Sequence, residues 1–330
     1  MTYDTLVGTG DGVVALEDGL RPLGLTGHRI SALHAFRSAS GGDVLLAGTY
    51  GEGLFRSEDR GRTWQEVEGL WAPAARTVGP DPSTAGALLC GTEPGRLFRS
   101  RDEGRTWTEL TGVGDLPQAA AWFLPYSPRA GAIRNLTARP ERPARLLASV
   151  EVGGLLRTDD GGETWSVAAI AGNDDIHQIV EHPDDPDRLW ASLGYAALPD
   201  RQRRAPLGGV ARSRDGGRTW TVLHTEYTRS TIFVPGHPDL VLSGPAPDVG
   251  SGGRIVVSDD DGETWLPAAG GVSIPMPDMV ELFQPAPDGR VFAICAGGRL
   301  LGADPGDWRW SSALPAGAPE NVVSVSFLPR

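Results

Sequence analysis

Short runs of alternating apolar and polar residues, separated by turn residues, make up most of the chain. Within residues 74–110, the runs "AARTVGP", "ALLCGT", "RLFRS" and "WTEL" each predict a short strand. The segments between them, "DPSTAG", "EPG" and "RDEGRT", consist of residues that favour turns. Four short strands in about forty residues, with no helical period, predict one four-stranded antiparallel sheet.

An octapeptide of the form Ser/Thr-x-Asp-x-Gly-x-Thr-Trp recurs with this pattern. Its five copies are "SEDRGRTW" (57–64), "SRDEGRTW" (100–107), "TDDGGETW" (158–165), "SRDGGRTW" (213–220) and "SDDDGETW" (258–265). A repeat of four strands at this period predicts the blades of a β-propeller. Asp and Ser/Thr suit the turn between the third and fourth strands, Gly supplies positive φ, and Trp packs between blades. The octapeptide is therefore predicted to have a structural role in this turn. A binding or catalytic site is expected at the opposite rim of the propeller.

The two ends of the chain predict parts of one further blade. "NVVSVSFLP" near the C-terminus predicts a first strand, and "TLVGTGDGVVALEDG" near the N-terminus predicts the strands that follow it. We therefore predict an all-β, seven-bladed β-propeller of four-stranded antiparallel blades, with the last blade closed by the N- and C-terminal strands. The prediction is a single domain, 1–330, with blades at about 28–70, 74–114, 132–170, 175–224, 228–268, 279–314, and 320–330 plus 3–24.

Composition excludes several classes of function. The net charge is −12 and the pI is about 5.0, so we expect no nucleic-acid partner. All thirty basic residues are Arg, which excludes Schiff-base chemistry on a lysine of this chain. No spacing of His, Cys and carboxylates matches a zinc site, and we expect no metal and no cofactor. The absence of a signal-like N-terminus and of a long apolar run predicts a soluble, cytoplasmic protein that does not enter a membrane.

The five octapeptides resemble those of the Asp-box, or BNR-repeat, β-propellers. That family includes sialidases and other glycoside hydrolases, sortilin-type receptors, photosystem II assembly factors and WD40/YVTN/BNR-like repeat proteins. The resemblance implies the architecture and leaves the activity open. Sialidases are six-bladed and carry an N-terminal Phe-Arg-Ile-Pro segment, for which "GLRPLG" (19–24) is the nearest and a poor match. The resemblance therefore implies a sialidase-like or assembly-factor-like propeller rather than a true sialidase.

The first strand of each blade is predicted to line a central channel with every second side chain. Arg134, His177 and Arg229 are predicted at the upper inward position of three consecutive blades. Glu281 and His34 are predicted at the following inward position, and Arg76 joins the upper one if its register shifts by one or two residues. Arginines can anchor an anion, and His177 with Glu281 can act as acid and base. The alternative is a water-filled channel with charge-paired walls.

Two long loops lie on the same predicted rim. Residues 111–132 include Trp122, Phe123 and Tyr126, and predict a lid over a ligand or a protein-binding surface. Residues 194–209 hold a basic patch of three arginines, Arg201, Arg203 and Arg204.

We therefore predict a glycoside-hydrolase-like enzyme, a hydrolase or a lyase. It would act on a small anionic or sugar-like molecule, with Arg134, Arg229, Arg76, His34, Trp122 and Tyr126 as substrate-binding residues. The alternative is a non-catalytic protein-interaction or assembly-factor propeller that uses these two loops.

Overall fold

The computed structural model describes residues 2–17, 19–124, 130–194 and 208–330. Within them, the strands form seven four-stranded antiparallel sheets, the blades of a seven-bladed β-propeller. The prediction of fold class is therefore confirmed. The chain divides into two compact units, unit 1 (Met1–Ala168 with Asn321–Arg330) and unit 2 (Ala169–Glu320). The single-domain assignment stays a prediction.

Unit 1 contains four of the sheets. Blade 1 consists of β4 (Ile30–Arg37), β5 (Asp43–Thr49), β6 (Leu54–Ser57) and β7 (Gln65–Glu66). Blade 2 consists of β8 (Ala74–Pro80), β9 (Leu88–Glu93), β10 (Leu97–Ser100) and β11 (Thr108–Glu109). Blade 3 consists of β12 (Ala132–Arg139), β13 (Arg142–Glu151), β14 (Gly154–Thr158) and β15 (Ser166–Ala168), and two 3₁₀ helices precede it, Thr111–Val113 and Pro117–Ala121.

The fourth sheet of unit 1, blade 7, is built from both ends of the chain. It consists of β28 (Val322–Pro329), β1 (Tyr3–Thr9), β2 (Gly12–Leu16) and β3 (Leu20–Gly24). The C-terminal strand β28 pairs antiparallel with β1, as in the pair Val7 and Val325. The predicted closure by the two terminal segments is thus present.

Unit 2 contains the remaining three sheets. Blade 4 consists of β16 (Ile176–Glu181), β17 (Leu189–Leu193), β18 (Gly209–Ser213) and β19 (Thr221–His224). Blade 5 consists of β20 (Tyr227–Val234), β21 (His237–Ala246), β22 (Val256–Ser258) and β23 (Leu266–Pro267). Blade 6 consists of β24 (Val280–Pro285), β25 (Val291–Cys295), β26 (Leu300–Ala303) and β27 (Ser311–Ser312). Apolar side chains from neighbouring sheets, including those of Phe283 and Trp310, pack together in the core of unit 2.

The repeated octapeptide closes the turn between the third and fourth strands. In the first copy, Ser57 Oγ accepts from the amide of Gly61 at 2.9 Å and donates to Asp59 at 2.9 Å. Asp59 also accepts from the amide and the hydroxyl of Thr63, and the Trp64 indole donates to the carbonyl of Gly61 at 3.1 Å. Because every polar side chain of the sequence pattern in this copy has a bond inside its own turn, the octapeptide has a structural role.

Each first strand carries a β-bulge near its beginning. The pairing register of β4, β8, β12, β16, β20, β24 and β28 with its neighbour shifts there, so that one residue, or two in β20, lacks a direct partner. A bulge turns the side chain of its extra residue out of the regular alternation. The residues at these bulges are Ser31, Arg76, Arg134, His177, Arg229 with Ser230, Glu281 and Val323.

Candidate functional site

The bulges of unit 2 bring together a chain of polar side chains from three adjacent blades. The ring nitrogen Nε2 of His177 lies 3.3 Å from the hydroxyl of Tyr227. That hydroxyl accepts a hydrogen bond from Arg229 Nε at 2.7 Å. Arg229 in turn forms an ion pair with Glu281. We call these four residues the unit 2 cluster.

The cluster passes from the interior of unit 2 towards solvent. His177 and Tyr227 are 5 % and 3 % exposed, whereas the side chains of Arg229 and Glu281 are 19 % and 22 % exposed. Burying charged and polar groups costs free energy unless they are paired, so this much polarity is not explained by packing. A buried imidazole connected to a partly exposed ion pair is an arrangement that can carry a proton.

Asp175 provides a carboxylate at the buried end. Its Oδ1 lies 3.4 Å from His177 Nε2, the same nitrogen that Tyr227 approaches. Gly194 leaves the space for this pair, because a Cβ atom there would lie 2.3 Å from both Asp175 Oδ2 and His177 Nε2. The side-chain Nδ2 of Asn173 donates to the Gly194 carbonyl at 2.9 Å, and its Oδ1 accepts from the backbone amide of Asp175, which holds these segments together.

Hydrogen bonds between the first strands hold the three bulges in place. Gln178 Oε1 accepts from the hydroxyl of Ser230 and from the amide of Thr231, each at 2.9 Å. Ser230 Oγ accepts from the amide of Phe283 at 2.9 Å. Because these bonds are buried and link β16, β20 and β24, they fix His177 and Arg229, which are adjacent to bonded residues, and Glu281, which lies two residues before Phe283.

The predicted register is wrong at one member of the cluster. Glu281 was expected one inward position beyond Arg229, but both residues occupy bulges at the beginning of their strands. Met279 precedes β24 and is buried against Tyr227 and Ala246. Strict alternation fails here because the bulge inserts a residue before the regular pairing starts.

Two predicted anchors lie in unit 1, each with a carboxylate partner. Arg76 forms an ion pair with Glu93, and Arg134 forms one with Glu151 at 3.1 Å. In both blades the arginine occupies the bulge of the first strand and the glutamate is the last residue of the second. This repeated pairing matches the charge-paired alternative that the sequence also allowed.

The other predicted binding residues do not join these pairs. His34 stacks on Phe36 with ring centroids 5.5 Å apart, and burial lowers the pKa of its imidazole to about 4. Trp122 is 4 % exposed and packs against Leu97 and Ile133 in the core of unit 1. Tyr126 and the arginine patch at 201–204 lie outside the described residues.

Tyr227 and Asp175 are the members of the site that sequence reasoning missed. Tyr227 is separated from Arg229 by one residue in β20, so alternation gave a signal that both point to one face. Asp175 immediately precedes β16 and is separated from His177 by one residue. Neither spacing is specific, because alternating polar residues are common at the ends of strands.

Comparisons with known proteins show a shared fold and no family. No model of a known protein family matches the sequence, and no curated protein matches it.

Among the described residues, no helix has the length and hydropathy needed to cross a membrane.

Several solved structures are similar to the chain. The GH74 xyloglucanase from Xanthomonas campestris has a TM-score of 0.70 and 16 % identity, over 99 % of this chain and 52 % of that chain. The GH74 enzyme from Niastella koreensis has a TM-score of 0.64 and 16 % identity, over 98 % and 52 %. YCF48 from Cyanidioschyzon merolae has a TM-score of 0.60 and 17 % identity, over 92 % and 91 %. The chain spans about half the length of the two GH74 enzymes, and at these identities the likeness shows the propeller fold alone.

Proposed function

We propose that this propeller is a glycoside-hydrolase-like enzyme of the Asp-box, or BNR-repeat, type that binds a small polar or anionic molecule at the unit 2 cluster. The observation that carries the proposal is the unbroken series of contacts from buried His177 through Tyr227 to the partly exposed pair of Arg229 and Glu281. The fold shared with the GH74 enzymes is compatible with this activity.

Arg229 would anchor the ligand. Its guanidinium group is partly exposed, and the contacts to Tyr227 and Glu281 hold it in one orientation. A carboxylate of the ligand can form paired bonds with a guanidinium group, and sugar hydroxyls can donate to Glu281. A sugar acid offers both groups, so it is the substrate class that fits the pair best.

Tyr227 and His177 would move the proton. Arg229 Nε donates to the phenolic oxygen, which stabilises the phenolate, and His177 Nε2 lies 3.3 Å away to receive the proton. The transfer breaks the Tyr227 O–H bond and forms an N–H bond on His177. The resulting imidazolium faces the carboxylate of Asp175, so each charge formed lies beside an opposite one. Such a pair can supply or accept the proton that hydrolysis or elimination requires.

Ligand-dependent stability and turnover test the proposal together. A thermal-shift panel of glucuronate, glucose 6-phosphate and glucose is combined with hydrolysis of 4-nitrophenyl glucuronide. A ligand at a hundred times its dissociation constant adds about 2.7 kcal/mol to the free energy of unfolding. We expect Arg229→Gln to lose the shift and Tyr227→Phe to keep it while losing turnover.

The matched control is Arg290→Gln. Arg290 pairs with Asp288 in the turn at the other end of β24, and its side chain is partly exposed. The proposal fails if Arg229→Gln behaves as Arg290→Gln does. It also fails if no compound on the panel stabilises the wild-type protein.

A non-catalytic assembly role is the second candidate. It is favoured by the three arginines of the bulges, Arg76, Arg134 and Arg229, which already hold carboxylates. The loops 111–132 and 194–209 would then bind a protein partner. Co-purification with the wild-type protein, lost when Arg201, Arg203 and Arg204 are replaced by Gln, would support it.

We further propose a cytoplasmic location. Cys90 and Cys295 are both unpaired and buried, which suits a reducing compartment. Fractionation of the source cells tests this part of the proposal, and recovery of the protein outside the cytoplasm would contradict it.

A further inference from the structure

Two arginines in unit 1 lie against one tyrosine ring. The Cζ atom of Arg29 is 4.5 Å from the ring centroid of Tyr50, and that of Arg76 is 4.6 Å from the same centroid. The backbone amide of Tyr50 also donates to the carbonyl of Arg29 at 2.9 Å. Arg29 directly precedes β4, Tyr50 directly follows β5 and Arg76 occupies the bulge of β8, so blades 1 and 2 both contribute.

The two arginines beside this ring differ in their carboxylate partners. Arg76 forms an ion pair with Glu93, whereas Arg29 has no carboxylate partner among the described residues. The nearby carboxylate of Glu52 is held by His28 Nε2 at 2.8 Å. The guanidinium group of Arg29 therefore lies beside the ring with no carboxylate of the described residues within ion-pair distance, in a chain whose net charge is −12.

The side chains of Arg29, Tyr50 and Arg76 are held in place in the absence of a ligand. The side chain of Arg76 is 4 % exposed and held by Glu93, so it fixes the ring from the protein side. Arg29 is exposed but lies against the ring, which limits the rotamer freedom that it would lose on binding. The hydroxyl of Tyr50 has no hydrogen-bond partner within the described part of unit 1, so it can donate to a ligand.

We propose that Arg29 and Tyr50 form an oxyanion-binding site in unit 1, with Arg76 as the buried residue that positions the ring. The ligand is a small molecule with a carboxylate or a phosphate group. The oxygen atoms of that group accept two hydrogen bonds from N–H groups of the Arg29 guanidinium, and the Tyr50 hydroxyl donates a third hydrogen bond to them. The site is built only from unit 1 residues and does not depend on the unit 2 cluster.

Isothermal titration of the full-length chain at low ionic strength tests the site, with glucuronate, inorganic phosphate and glucose as probes. We expect glucuronate and phosphate to bind and neutral glucose not to bind. Arg29→Gln should weaken the affinity by about tenfold or more, because a charge-assisted pair of bonds is lost. Tyr50→Phe keeps the ring and should weaken it by about threefold.

Arg62→Gln is the matched control. Arg62 is an exposed arginine of blade 1 in the octapeptide turn, at the other end of the sheet from Arg29. Equal affinities for Arg29→Gln and Arg62→Gln would overturn the proposal, and so would a wild-type chain that binds neither oxyanion. Binding that Arg229→Gln abolishes while Arg29→Gln leaves it intact would place the ligand at the unit 2 cluster alone, and would also overturn it.

Discussion

Arg99 donates a hydrogen bond from Nη2 to the backbone carbonyl of Gly161, 2.9 Å away in the next blade. Arg56 makes the same connection to the carbonyl of Glu103, and Arg212 makes it to that of Asp261. Each arginine directly precedes an octapeptide, and each acceptor is the fourth residue of the following octapeptide, where φ is positive. In these three cases, the octapeptide turns of successive blades are thus joined by an arginine that the octapeptide pattern does not include.

Loss of one such arginine should destabilise the fold. Arg99 also forms an ion pair with Asp81 at 2.6 Å, and the side chain of Asp81 is fully buried. We expect Arg99→Ala to lower the free energy of unfolding by about 3 kcal/mol, because it leaves a buried carboxylate uncompensated. Chemical denaturation measures the change, with Arg101→Ala, an exposed neighbour, as the control. Equal stability of the two variants would contradict the role assigned to Arg99.

The octapeptide aspartates should make the fold sensitive to strong acid. Hydrogen bonds from the hydroxyl and then the amide of Thr63 lower the pKa of Asp59 to about 2, and Thr264 does the same for Asp260. A carboxyl whose pKa is lower in the folded state stabilises that state above its unfolded pKa of about 3.9. We expect this stabilisation to disappear as the pH falls from about 4 to 2. Acid titrations followed by circular dichroism should show that Asp59→Asn loses less stability than the wild type does over this pH range.

His224 should contribute a second, milder pH dependence with the same sign. Burial lowers the pKa of its imidazole to about 4, and neither ring nitrogen has a hydrogen-bond partner among the described residues. The unfolded chain binds the proton at a pKa of about 6.5, so the folded state loses stability as the pH falls from 6.5 towards 4. In His224→Leu, the urea concentration at the midpoint of unfolding should change less between about pH 6.5 and pH 4 than it does in the wild type. The same pH dependence in both proteins would show that His224 is not its source.

Two tyrosine hydroxyls provide a matched pair of substitutions. The hydroxyl of Tyr227 is buried and bonded to Arg229, whereas that of Tyr50 has no partner within the described part of unit 1. We expect Tyr227→Phe to lower the free energy of unfolding by about 1 kcal/mol and Tyr50→Phe to change it by less than about 0.5 kcal/mol. Thermal denaturation without ligand makes the comparison. A larger loss of stability in Tyr50→Phe than in Tyr227→Phe would contradict the hydrogen bonding described for the two hydroxyls.

The predicted lid residue Trp122 is held by contacts that no local sequence pattern shows. An aromatic run in a long loop predicts exposure to a ligand, but the indole fits against three glycines, Gly95, Gly131 and Gly153. A Cβ atom at Gly153 would lie 3.0 Å from Trp122 Cδ1, so the absence of side chains makes the pocket that receives the ring. These glycines are far apart in sequence, and only the packing of unit 1 brings them to the tryptophan.

The sequence by itself determined the blade count, the strand order and the closure of blade 7, because turn chemistry and two-residue alternation are local. The octapeptide needs only eight consecutive residues to satisfy its own hydrogen bonds, as Asp59 and Thr63 show. The tertiary structure decided which side chains meet. A bulge in each first strand moves Glu281 into line with Arg229, and strands from different blades bring His177 to Tyr227. Contacts of that kind depend on register and on residues some fifty positions apart, which no local pattern encodes.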